Sequence, residues 1–100
     1  MIRRIVKMTF REEHIEDFER LFAEHKDHIR SFNGCLHLEL WQDRSDSRIF
    51  FTYSHWQTEV HLEAYRHSAL FKQVWARTKV LFDERPEAWS VDFKAEGSQL

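Results

Sequence analysis

The sequence predicts an α+β domain, a ferredoxin-like split β-α-β arrangement in which helices cover one face of a four-stranded antiparallel sheet. Two observations predict it. Hydrophobic periodicity changes along the chain in the order strand, helix, strand, strand, helices, strand. The middle hairpin also carries large apolar groups on both faces, although helices can cover only one side of such a sheet.

Residues Ile2 to Phe10 alternate, with Ile2, Val6, Met8 and Phe10 on one face and Arg3, Lys7 and Thr9 on the other. Arg4 interrupts the apolar row. From Glu12 the period lengthens, and Ile15, Phe18, Leu21, Phe22, His25, Ile29 and Phe32 form a helical stripe. Thr9 and Glu12 have capping-box spacing, and a start nearer Glu13 fits as well. Asn33-Gly34 ends the helix, because both residues tolerate positive φ.

From Cys35 to Trp41, Leu36, Leu38 and Leu40 face one way and Cys35, His37, Glu39 and Trp41 the other, which predicts a strand. A polar turn over 42–47 leads into a second strand from Arg48 to Trp56, completing a hairpin. Thr58 is placed to cap a short helix ending at Arg66, and Ser68 to cap the next, where Phe71, Val74, Trp75, Thr78 and Phe82 recur at helical spacing. Pro86 is expected to close that region, and Trp89, Val91 and Phe93 alternate to form the last strand.

The composition is that of a globular domain: 42% hydrophobic, 32% charged, with two Gly and one Pro in 100 residues. The domain is expected over 1–94, followed by a polar tail at 95–100. A net charge of −2 with interspersed signs gives little drive toward nucleic acid. The single cysteine, Cys35, excludes an internal disulfide and fits a reducing cytoplasm as a buried thiol. No stretch reaches the length of an export signal or a membrane span, so a soluble protein is expected. The apolar outer face of the hairpin calls for a second chain. Removing roughly 600 Å² of apolar surface per subunit from water would contribute on the order of 15 kcal/mol before association costs. A homodimer with sheets facing each other is the expectation.

Seven histidines are scattered at positions 14, 25, 28, 37, 55, 61 and 67, with no His-Glu-x-x-His sequence, so no metal site is expected. No glycine-rich phosphate loop or nucleophile elbow occurs either. His67 stands between Tyr65 and Ser68 at a helix junction, where an imidazole can transfer a proton, orient a phenolic oxygen or simply cap backbone groups. Trp56, Tyr65, Phe71 and Trp75 can wall a cavity for a planar ring or form plain core. Arg4, Arg66 and Arg77 can meet an anionic or quinone-like oxygen or stay solvated at the surface.

Phe32-Asn33-Gly34-Cys35-Leu36, Phe51-Thr52-Tyr53-Ser54-His55-Trp56 and Ala64-Tyr65-Arg66-His67-Ser68 through Phe71 resemble the antibiotic biosynthesis monooxygenase family over about residues 2 to 94. The resemblance implies a dimeric α+β barrel and oxidation of a phenol or quinol by O₂ without flavin, metal or haem. It implies that Trp56, Phe71 and Trp75 wall the pocket, that Arg4 binds substrate, and that Tyr65 and His67 orient oxygen atoms as the catalytic pair. On this reading His67→Ala lowers turnover more than folding. Haem-degrading relatives use an asparagine on the first strand with a tryptophan and a histidine in the later helices. This sequence has Arg4 or Ile5, Tyr65 and Trp75 at those places, so the trio is not retained. A noncatalytic dimeric domain that binds a small aromatic molecule is the alternative.

Overall fold

A computed structural model describes residues 1–99. The elements are β1 (Ile2–Phe10), a 3-10 turn (Glu12–His14), α1 (Ile15–Arg30), β2 (Cys35–Gln42), β3 (Ile49–Trp56), α2 (Glu59–Arg66), α3 (Ala69–Lys79) and β4 (Phe82–Val91). The strands lie in the order β2-β3-β1-β4, and every neighbouring pair is antiparallel. This is the expected split β-α-β sheet.

Two clusters hold the helices to the sheet. Met8, Phe10, Phe18 and Phe50 form one, in which the Phe10 and Phe18 rings stack with centroids 4.1 Å apart. Cys35, Trp56 and Leu62 form the other, extended by Ile2, Phe32 and Tyr65. The even-numbered residues of β1 and β3 face the helices, which is why Arg4 falls in the same row as Met8 and Phe10. The opposite face bears Trp41 stacked on Tyr53, with His37 and His55 beside them.

Caps explain the later helices. The Thr58 hydroxyl accepts from the His61 N–H, and the Ser68 hydroxyl accepts from the Phe71 N–H at 3.1 Å while donating to the Tyr65 carbonyl at 2.6 Å. Ser68 thereby ties the end of α2 to the start of α3. Gly34 has φ of 90° and turns the chain into β2, as its position after α1 requires.

Three expectations are corrected. No side chain caps α1: Thr9 is buried at the end of β1, and the chain passes through a 3-10 turn before the α-helix begins at Ile15. Acidic residues in these first turns, Glu12, Glu13, Glu16 and Asp17, favour the helix N-terminus electrostatically instead. Cys35 faces the helices with Trp56, because a register shift between Cys35 and His37 moves it off the His37 face. The last strand begins at Phe82 and runs through Pro86. Lys7 pairs with Glu87 and Thr9 with Glu84, so Arg85 and Pro86 together oppose Met8 in a bulge on an edge strand. Such a place requires no regular ladder donor from proline.

Candidate functional site

The two clusters do not merge, and the space between them is a cavity of about 120 Å³ under α2 and α3. For scale, a dry cavity of about 150 Å³ admits benzene. Its walls come from β1, β2, β3 and all three helices, so the sheet supplies a floor and the capped α2–α3 junction a roof.

Aromatic side chains form a continuous arc around it. Trp56 and Tyr65 stack at 4.9 Å, Tyr65 meets Phe71 edge-on at 5.2 Å, and Phe71 lies parallel to Trp75 at 5.8 Å, which in turn meets Phe82 of the neighbouring core cluster at 5.5 Å. Trp56 is fixed at one end of this arc. It is 1% exposed, and its indole Nε1 donates to the Ser54 hydroxyl at 3.0 Å, which satisfies the only polar atom of the ring.

Polar groups enter at few points. Burial, and secondarily the sulfur of Cys35, pushes the Tyr65 phenol far above its ordinary value, so it stays protonated and can serve as a donor. Arg4 projects from the sheet floor, where Nη1 donates to the Ser90 hydroxyl at 3.0 Å. Burial lowers its pKa, as does Arg66 nearby, with Glu63 acting in the opposite sense. Among the described residues Arg4 has no ion-pair partner, whereas Arg66 bonds Glu63 at 3.0 Å. Thr52 also reaches the cavity.

Five of the six residues singled out from sequence, Arg4, Trp56, Tyr65, Phe71 and Trp75, line this one cavity. His67 does not. Its side chain is 77% exposed, with Nε2 3.6 Å from Glu63, because it occupies the C-cap of α2 and points away from the sheet. The pair Tyr65 and His67 is therefore not assembled in the pocket. Arg66, weighed from sequence as either a contact for an anionic oxygen or a solvated surface charge, lines it. The spacing Leu62, Tyr65, Arg66 is the signal that finds it, since i, i+3 and i+4 share a helix face. Neither histidine nor carboxylate is among the lining residues.

Other polar clusters satisfy themselves. A shallow hollow beside α1 and α3 is bounded by Arg20 paired with Asp17 and Arg77 paired with Glu24, which leaves Arg77 outside the aromatic cavity. Among the described residues no group of three or more His, Cys, Asp or Glu is arranged to hold a metal ion. Cys35 is buried, and burial raises its thiol pKa.

The sequence model of a family described as antibiotic biosynthesis monooxygenase matches residues 1–77. No curated protein matches the chain. Among solved structures, a crystal structure of an antibiotic biosynthesis monooxygenase is 18% identical with a TM-score of 0.88, over 95% of this chain and 100% of that one. A conserved protein from Methanosarcina mazei Go1 is 20% identical with a TM-score of 0.88, over 93% and 92% of the two chains. A protein from Pseudomonas aeruginosa is 24% identical with a TM-score of 0.83, over 94% of each. At such identities the likeness is one of fold.

Proposed function

Because this chain belongs to the antibiotic biosynthesis monooxygenase family, we propose that its cavity holds a small electron-rich phenol or quinol and promotes its oxidation by O₂ without a bound cofactor. The aromatic-walled cavity, with a neutral tyrosine hydroxyl and an arginine that has no ion-pair partner among the described residues, carries this reading.

For a quinol bearing one free ring C–H at the reacting carbon, the balance is quinol plus O₂ giving hydroxyquinone plus water. One oxygen atom becomes the new ring substituent and the other leaves as water, with all four electrons drawn from the substrate. The chain's own work is positional and electrostatic. Trp75 and Phe71 hold the ring plane, and Tyr65 donates a hydrogen bond to a substrate oxygen. Arg4 favours the ionised, more oxidisable form of the substrate, and the apolar walls keep water from the reacting carbon. The ionising proton leaves through the mouth of the cavity to solvent, a route that requires no base in the lining.

Oxygen uptake with a panel of quinols tests this. The expected result is saturable consumption with equal formation of the oxygenated product. Saturable binding with no uptake across the panel would favour a noncatalytic binding domain, the reading supported by the lack of histidine or carboxylate among the lining residues.

The assembly proposed with it is a homodimer joined through the outer sheet face. Trp41 and Trp89 remain 40% and 44% exposed there, and Arg3 Nε and His55 Nε2 are buried without partners among the described residues. A monomer mass at micromolar concentration in light scattering would count against it. Among the described residues no helix is long and apolar enough to cross a membrane. The reduced, buried Cys35 supports placing the protein in a reducing cytoplasm.

A further inference from the structure

We propose that the cavity selects a single-ring aromatic carboxylate, with the carboxylate held between Arg4 and Arg66 at the open end and the ring seated against Tyr65, Phe71 and Trp75. This rests on the reading above for the location of the site, and it names the ligand class that reading leaves open.

Three observations lead to it. The cavity holds about 120 Å³, against about 150 Å³ for one that admits benzene, so one ring fills it and a second fused ring would have to extend beyond its mouth. Two guanidinium groups line the cavity, and they are close enough for Arg66 to lower the pKa of Arg4. Glu63 bonds Arg66 and also lies 3.6 Å from His67, and the neutral Ser90 hydroxyl is the sole side-chain partner of Arg4 among the described residues, so one carboxylate faces two guanidinium groups and the pair retains excess positive charge.

The position of Arg4 sharpens the point. Its row on β1 otherwise reads Val6, Met8 and Phe10, and both core clusters are built on that face. A cation there is costly to desolvate unless an anion meets it. A carboxylate matches the planar guanidinium fork better than a single phenolate oxygen does, and it stays ionised across neutral pH. Phe18, Phe22 and Ile29 of α1 add apolar wall to the same cavity, which suits the ring.

The test is calorimetry under nitrogen, so that binding is read without turnover, using 2,5-dihydroxybenzoate, hydroquinone and 1,4-dihydroxy-2-naphthoate as probes. The expected order places 2,5-dihydroxybenzoate about tenfold or more ahead of hydroquinone, as loss of a charge-assisted contact predicts, with the naphthoate weaker than the benzoate. Arg4→Gln should remove the advantage of 2,5-dihydroxybenzoate over hydroquinone when both are measured on the same variant, and Arg4→Lys should retain part of it. Equal affinity for the charged and neutral single rings, or tighter binding of the naphthoate, overturns the proposal on the native protein alone, whether or not the variants fold. Oxygen uptake is then measured separately in air. Carboxylate preference without uptake keeps the anion site and removes the monooxygenase, whereas uptake with hydroquinone and no carboxylate preference does the reverse.

Discussion

The indole of Trp56 and the phenol of Tyr65 lie stacked, with centroids 4.9 Å apart and planes 26° from parallel, which joins the end of β3 to the last turn of α2. Both rings line the cavity and Trp56 is buried core as well, so folding and ligand recognition share this contact. The two functions are separable by substitution, because only Tyr65 carries a hydroxyl into the cavity.

Trp56→Ala should cost about 3–5 kcal/mol, since it leaves a void at a 1% exposed site and strips Tyr65 of its support. Urea denaturation would read this as a lower midpoint with an unchanged slope. Tyr65→Phe keeps the stack and should hold stability within about 1 kcal/mol of native, while substrate oxidation falls. Native turnover in Tyr65→Phe would remove the hydroxyl from the mechanism.

Gly34→Ala addresses the turn between α1 and β2. An alanine at φ of 90° is strained by roughly 1–2 kcal/mol, and its β-carbon would overlap the ring of His61, which must then move. We expect a loss of thermal stability larger than the strain alone predicts. Combining Gly34→Ala with His61→Ala should recover the part due to the ring, whereas the overlap with the β-carbon at position 61 and the backbone strain remain.

His67→Ala should leave ligand affinity and turnover within about twofold of native, the usual reach of an exposed substitution away from the site. The sequence pointed the other way. A large loss of turnover in a folded variant would mean that His67 reaches substrate by some route other than the cavity of this chain.

Stability should also depend on pH through His55. Burial holds its pKa below the ordinary 6.5, with Arg3 and His37 adding to the effect and Glu39 opposing it. Below 6.5 the unfolded chain takes up this proton more readily than the folded one, so stability falls as pH drops through that value, and the loss ends only when the folded imidazole is itself protonated. Above 6.5 the group is neutral in both states and contributes no slope. Hydrogen bonds from His14, His37 and Arg48 lower the pKa of Asp17, Glu39 and Asp46 respectively, so their contribution is lost at more acidic pH. Urea midpoints measured from pH 8 to 5 should decline for native protein and decline less for His55→Gln. Parallel curves would refute the assignment.

Periodicity made the sheet and helices legible, because a half-buried strand and a one-sided helix leave different spacings in the chain. Thr58 and Ser68 were readable as caps for the same local reason. Boundaries set by tertiary pairing were not. Pro86 reads as a terminator, but an edge-strand bulge accommodates it, and Cys35 changes face through a register shift that alternation alone does not reveal. At the site, aromatic spacing identified the walls. His67 falls outside the lining because neighbours in sequence on a helix point in different directions, so proximity to Tyr65 carried no information about the cavity, whereas the i+4 relation of Leu62 and Arg66 did.

The bulge at Arg85 and Pro86 also bears on how the molecule avoids polymerising. β4 is an outer strand, and a row of free N–H and C=O groups there would template addition of another chain. Proline removes one donor, and the bulge breaks the spacing of the others, so an incoming strand finds no continuous ladder on that side. Lateral growth toward fibres is thereby discouraged along β4. The homodimer proposed above, joined through the aromatic face, is by contrast a geometry that closes after two copies rather than repeating indefinitely.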